Sequence, residues 1–496
     1  MSLKKQTFSG VKWTTASSLV NALIQLIQLS ILTRLLSSED FGLMAIVMVV
    51  IGFSQLFIDM GVSNAIIYKQ KITKKELSSL YWLNILIGCL FFLIIFISSP
   101  LIADFYHNKR LISLINLVAV TFLIKPWGQQ LMVMLHKKMQ FKATSKIEIA
   151  ARLIAFTIVI ILAYNEYGVY SLAIGTIIYA FCTTLGYNFF GRKIYRPQFH
   201  FNRKEIREYI NFGLFQMGDK SLNYFASQLD TVLIGKLLGV EILGVYNVAK
   251  DLTSKPYAMI NPIITKVTFP LMSKIIDNTE RLKIIFLNTI QYLSYLNIAL
   301  YLLIAILAKP IILLMFGVKW LAAIPIVQIL AITFIFRSFG NPAGSLLLSR
   351  GKASIAFFWN LGIFLFYPFY LYIGSFWKLE GVAIASLLLQ ISLFLPNWRI
   401  NVYKFTNISL KEYILAFKNP FILTFLAIII TYPISLVIEN NILTVLISTC
   451  FFGMIFLTLL IMFERKLIFG LIDFIPEKLT NKLERTKLWK LIQKVN

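Results

Sequence analysis

Acidic side chains are scarce in this sequence. Its 496 residues carry 22 Asp and Glu against 48 Lys and Arg, and charged residues of both signs make up only 14%. A soluble chain would hold roughly a quarter charged residues, so a large soluble helical protein is excluded. Histidine is rarer still. His107, His136 and His200 are scattered, no His-Glu-x-x-His is present and no Walker loop occurs, which excludes those metallohydrolase and nucleotide-hydrolase readings. No enzyme signature, cofactor or metal is expected. Cys89, Cys182 and Cys450 are isolated inside apolar runs and read as small packing residues, not a disulfide framework. Strand-like alternation is missing too: the stretches 85–97 and 442–462 are continuously apolar, which excludes a transmembrane barrel.

What the sequence has is apolar length. It is 58% hydrophobic and 15% aromatic, with a mean hydropathy of +0.76. Stretches of about twenty residues, enough to cross the bilayer core, fall near 12–34, 41–61, 79–101, 111–135, 147–165, 167–190 and 210–234. They continue near 242–264, 284–307, 321–345, 355–374, 380–402, 418–438 and 442–463. The expected fold is an all-α polytopic membrane protein of about fourteen transmembrane helices. Its bases alternate between loops. With the N-terminus inside, the outside loops hold only Arg34, Lys109, Arg110, Lys236, Lys309, Lys319 and Lys378. Lys and Arg favour the cytoplasmic side, so both termini are expected there. The net charge of +26 then faces anionic membrane lipids and calls for no nucleic acid. The first span is too long for a signal peptide and should be retained.

A repeat organises these spans. Arg34-Leu35-Leu36-Ser37-Ser38-Glu39-Asp40-Phe41-Gly42-Leu43 returns as Lys236-Leu237-Leu238-Gly239-Val240-Glu241-Ile242-Leu243-Gly244-Val245. Each copy lies between two apolar runs and reads as the tight link of a helical hairpin. At the same offset Asn21 meets Asn223 and Gln28 meets Asp230. Two-fold repetition in a membrane chain is characteristic of alternating-access transporters. The expected organisation is an N-terminal lobe at 1–190, a cytoplasmic linker at 191–209 and a C-terminal lobe at 210–403. Two further spans at 404–463 and a basic cytoplasmic tail at 464–496 follow. The lobes should be parallel repeats related by a pseudo-two-fold axis along the membrane normal. The tail reads either as surface helices on the inner leaflet or as a solvated segment. Glycines within spans, including Gly88 and Gly175, read as close helix packing.

Polar residues inside spans carry the functional information, because a charge at the bilayer centre costs about 2.5–3.5 kcal/mol on insertion scales. Asp219 and Lys220 lie deep in the seventh span, and Lys250, Asp251 and Lys255 lie in the eighth with Pro256. Lys125-Pro126 interrupts the fourth, Arg337 lies deep in the tenth, and Arg152 can reach the interface. Bases outnumber acids here, and sequence neighbours point to different helix faces. Internal ion pairing and a wet basic cavity both remain open; the cavity would suit a phosphate or diphosphate. Asn21, Gln25 and Gln28 share one face of the first span, as polar helix–helix contacts or as a sugar-accepting lining. The candidate substrate-binding residues are Lys220, Lys250, Lys255, Arg337, Lys125, Asn21, Gln25 and Gln28. The acids Asp219, Asp230 and Asp251 are the coupling-ion candidates.

Several blocks resemble the Wzx-type polysaccharide exporters of the multidrug/oligosaccharidyl-lipid/polysaccharide superfamily, in particular the colanic-acid-exporter-like branch. They are Gly10-Val11-Lys12-Trp13, Leu32 to Leu43, Asp59-Met60-Gly61-Val62-Ser63-Asn64-Ala65, and the segment Leu229 to Ala249. The resemblance spans roughly residues 8–460. It implies two six-helix lobes around a central cavity lined by spans one, two, seven and eight. It also implies a flippase for an undecaprenyl-diphosphate-linked oligosaccharide in the bacterial inner (cytoplasmic) membrane, with a polysaccharide polymerase among its expected partners. A cation-coupled multidrug exporter of the same superfamily is the first rival, disfavoured by the surplus of bases. A membrane glycosyltransferase or polymerase is the second, disfavoured because no large outside loop exists to carry its site.

Overall fold

The computed structural model describes residues 3–59, 66, 72–276 and 278–464, and side chains within these except at 3–11, 57–59, 208, 210–220, 262–267 and 353. The motif residues 60–65 and the tail from 465 lie outside the described residues. All the described regular elements are helical. In chain order they begin α1 (Leu3–Leu35), α2 (Ser38–Asp59), α3 (Lys74–Phe105), α4 (Arg110–Ala119), α5 (Pro126–Lys137), α6 (Phe141–Tyr164), α7 (Val169–Gly191), α8 (Arg203–Leu237) and α9 (Val240–Lys274). There follow α10 (Thr279–Ile306), α11 (Ala308–Met315), α12 (Ala323–Ser349), α13 (Ala353–Ser375), α14 (Lys378–Asn397), α15 (Leu410–Val437) and α16 (Asn441–Phe463).

Eleven helices among the described residues are long and apolar enough to cross a membrane. A twelfth span forms if the bent pair Arg110–Ile124 and Pro126–Lys137, inclined at 49°, is counted as one. The bend falls at Lys125–Pro126, as the sequence suggests, because proline brings no N–H to continue the ladder. The expected count of about fourteen exceeds this total by α8 and α9. Each is 35 residues long, ample for a hydrocarbon core of about 30 Å, and each carries several charged residues. Pro256 does not end α9.

The chain divides into two compact units, Met1–Val248 with Met315–Gly317 and Phe357–Ala385, and Ala249–Leu314 with Val318–Ala356 and Ser386–Asn496. In the first unit α6 packs on both α1 and α7. A Cβ on Gly88 would overlap the Phe122 carbonyl oxygen, and one on Gly175 would overlap Val159; these glycines do set close helix approach. Leu90, Leu93, Ile97 and Leu101 of α3 stay exposed, as apolar side chains do when lipid is the solvent. α8 joins this unit by packing on α2: Phe53 and Phe225 rings lie 4.4 Å apart, and Tyr224 OH donates to the Val49 carbonyl at 2.9 Å.

The second unit is built on α10, which packs against α12 and α15. Its core includes Phe286, Tyr301, Phe334, Phe339, Tyr413 and Phe417. At the start of α15, Ser409 and Glu412 form a capping box, in which side chains satisfy the otherwise orphaned first-turn N–H groups. Lys283 of α10 reaches Glu412 at 2.7 Å, tying the two helices at one end.

Candidate functional site

The two copies of the repeated hairpin touch one another within the first unit. A Cβ on Gly42 would overlap the carbonyl oxygen of Val240, and a Cβ on Gly244 would overlap the carbonyl oxygen of Ser38. Gly42 and Gly244 are equivalent in the repeat, and so are Ser38 and Val240. The two contacts are therefore the same contact made twice, once in each direction, as a local two-fold requires. Glycine is needed at both positions because any side chain would push the opposing backbone away.

The polar groups around these tips fix each hairpin. Asp40 accepts from the Ser37 N–H at 3.0 Å and the Ser37 hydroxyl at 2.8 Å. It also accepts from the Val169 N–H at 3.2 Å, linking the start of α2 to the start of α7. Arg110 bridges Glu39 at 3.1 Å. In the second copy, Asp230 is 5% exposed and accepts from the Thr231 N–H and the Tyr246 hydroxyl, both at 2.8 Å. Lys236, the partner of Arg34 in the repeat, donates to the Phe105 carbonyl at 2.6 Å.

The sequence candidates fall in both units. In the first, Asn21 is half-buried; its Nδ2 donates to Ser17 Oγ at 3.3 Å, while its buried Oδ1 has no hydrogen-bond partner. Gln25, Gln28 and Lys125 are also half-buried. Arg152 stacks over Tyr179 at 4.1 Å.

In the second unit, Lys250, Asp251 and Lys255 of α9 are half-buried. Lys255 lies 4.0 Å from Asp251, one turn away, so a local ion pair exists that adjacent-residue pairing would not provide. Arg337 of α12 is exposed and held over the rings of Tyr257, at 5.4 Å, and Phe334, at 5.7 Å. Tyr257 in turn donates to Asn341 at 3.1 Å. The aromatic faces attract the guanidinium and fix its position without cancelling its charge. The side chains of Asp219 and Lys220 lie outside the described residues. Sequence reading missed Asp40, Tyr246, Tyr257 and Asn341. Asp40 and Tyr246 carried a signal, as members of the blocks that resemble the exporter family; Tyr257 and Asn341 are ordinary residues in helices until packing brings them to their partners.

These features define a class: a multi-pass helical membrane protein with the fold of lipid-flipping and drug-transporting carriers. The solved structure of the lipid II flippase MurJ in an inward closed conformation superposes with a TM-score of 0.73 at 15% identity, covering 93% of this chain and 100% of that one. An inward-facing multidrug resistance MATE transporter of the MOP superfamily superposes with a TM-score of 0.62, also at 15% identity, covering 78% and 96%. The chain belongs to the polysaccharide biosynthesis protein family, whose model matches residues 31–325. It is 31% identical to the lipopolysaccharide biosynthesis protein WzxC of Escherichia coli, over 89% of this chain and 90% of that protein. It is 33% identical to the teichuronic acid biosynthesis protein TuaB of Bacillus subtilis, over 88% and 91%.

Proposed function

We propose that this protein is a flippase that carries an undecaprenyl-diphosphate-linked oligosaccharide from the cytoplasmic to the outer leaflet for surface polysaccharide export. Membership of the polysaccharide biosynthesis family supports the pathway, and the shared fold supports a carrier. The observation that carries the substrate class is Arg337, exposed and propped on Tyr257 and Phe334, in the same unit as Lys250 and Lys255. An anionic diphosphate would draw its counter-charge from these groups together with Lys220, while Asn21, Gln25, Gln28 and Lys125 would serve the sugar and its approach.

The reading places both termini in the cytoplasm, two parallel six-helix lobes about the substrate path, and two helices appended. The hairpin tips then lie at the outer end. Their reciprocal contact closes that end, and release of the sugar requires it to part. A ligand shifts such an equilibrium only through different affinity in the two states, so the basic contacts weaken as the outer end opens. Asp219 and Asp251 are the coupling-ion candidates, and Asp230 is better suited to holding its hairpin.

The test is complementation of an export-deficient strain, with membrane level measured in parallel. Single Ala substitutions at Lys220, Lys250, Lys255 and Arg337 lower export at unchanged protein level, and Asp at the same sites lowers it further by repelling the diphosphate. Full export from the quadruple Ala variant sinks the basic-lining mechanism.

A further inference from the structure

The second unit contains a cavity of about 820 Å³ between the ends of α10, α12, α15 and α16, with α11 along one side. None of the sequence candidates lines it. Its wall is amphipathic. Ile306, Leu313, Ile324, Ile332 and Leu436 supply an apolar surface, while Lys309, Glu439, Tyr432, Ser435 and Asn441 supply polar groups. Lys309 and Glu439 are both exposed, and among the described residues they form no ion pair with each other. Gln328 braces the wall by donating to the Ala305 carbonyl at 3.3 Å. Pro310 brings no N–H for the Ile306 carbonyl, which stays available at the cavity edge.

From this arrangement we propose that the cavity binds a zwitterionic aminophospholipid, of the phosphatidylethanolamine kind, by its headgroup. The chemistry matches group by group. Lys309 pairs with the phosphate, and Glu439 accepts hydrogen bonds from the primary ammonium, with hydroxyl and amide groups of Tyr432, Ser435 and Asn441 around them. The apolar wall takes the start of an acyl chain. A lone base would suit any phosphate lipid equally; the separated acid selects the amine. The cavity also lies where apolar helices end, which is headgroup depth for a spanning helix. This inference does not depend on the proposed substrate.

Native mass spectrometry of the delipidated full-length protein tests it, with phosphatidylethanolamine, phosphatidylcholine and phosphatidylglycerol of matched chains at equal concentration. Occupancy by the ethanolamine lipid exceeds that by the choline lipid roughly fivefold, about the effect of one net hydrogen bond, since choline keeps the positive charge but has no N–H to donate. Glu439→Gln removes that preference, because the amine loses its acceptor. Lys309→Gln lowers binding of all three lipids, and Lys378→Gln, which does not line this cavity, changes neither. Retained melting temperatures exclude misfolding as the cause. Equal binding of the ethanolamine and choline lipids by the unaltered protein, or an unchanged preference in Glu439→Gln, overturns the proposal. Displacement of the ethanolamine lipid by stoichiometric undecaprenyl phosphate overturns it in favour of a carrier-lipid site.

Discussion

Gly42 and Gly244 show how much can rest on a missing side chain. Each hydrogen stands where a methyl group would meet a backbone carbonyl of the other hairpin. Backbone can retreat only by moving its helix, so Val at either position wedges the tips apart. Because the two contacts are equivalent, Gly42→Val and Gly244→Val lose export to a similar degree at normal membrane level. Gly340→Ala is the counter-example. A Cβ there meets nothing within 4 Å, and a helical Gly→Ala change stabilises by about 0.5–1 kcal/mol; this variant exports normally and melts slightly higher. A wild-type phenotype for both valine variants would show that the hairpins need not touch.

The same scale holds the Asp230–Tyr246 bond inside the second hairpin. Tyr246→Phe leaves a buried carboxylate short of one donor, at a cost of about 1–3 kcal/mol. Thermal unfolding in detergent reads that loss as a lowered melting temperature. No change would mean that another donor takes the place of the tyrosine hydroxyl.

At the scale of the element, the start of α15 is a test of how helices are anchored. Its capping box satisfies first-turn N–H groups, and Ser409→Ala costs about 1 kcal/mol. Glu412 serves twice, capping α15 and meeting Lys283 of α10. Substituting Glu412 by Ala therefore removes two attachments at once, whereas Lys283→Gln weakens one. Limited proteolysis near residue 408 should rise more for the Glu412 variant; equal cleavage of the two variants would separate the cap from the bridge. The bent pair at Lys125–Pro126 belongs to this scale as well. There one apolar run becomes two helices inclined at 49°, whereas Pro256 leaves α9 continuous.

At the scale of the whole molecule, the proposed orientation rests on charge placement among the loops. Asn202 and Asn440 are exposed caps of α8 and α16, on opposite sides in the proposed topology. With Cys89, Cys182 and Cys450 replaced, a cysteine at 440 reacts with an impermeant thiol reagent in intact cells and one at 202 does not. The reverse pattern inverts the molecule and puts the hairpin contact at the cytoplasmic end.

The membrane class, most spans, the break at Lys125–Pro126 and the hairpin repeat were legible in the sequence alone. Each is a local property: apolar length, a missing N–H, a repeated turn. The family was legible for the same reason, since two of its blocks, Leu32 to Leu43 and Leu229 to Ala249, contain the two hairpin turns. The grouping of α8 with α1–α7 was not, because it depends on Tyr224 meeting α2 across a long sequence separation. Nor could the sequence pair Gly42 with Val240 and Gly244 with Ser38, although it supplied the equivalence of the two copies. Arg337 was visible as a costly charge, with Phe334 three residues before it on the same helix, but only packing put Tyr257 beneath it. Lys309 and Glu439 looked like ordinary loop charges until the helix ends enclosed a cavity between them. The sequence determines which groups are expensive to bury; the tertiary structure decides which of them share a site, because proximity between distant segments is set by packing and leaves no local trace.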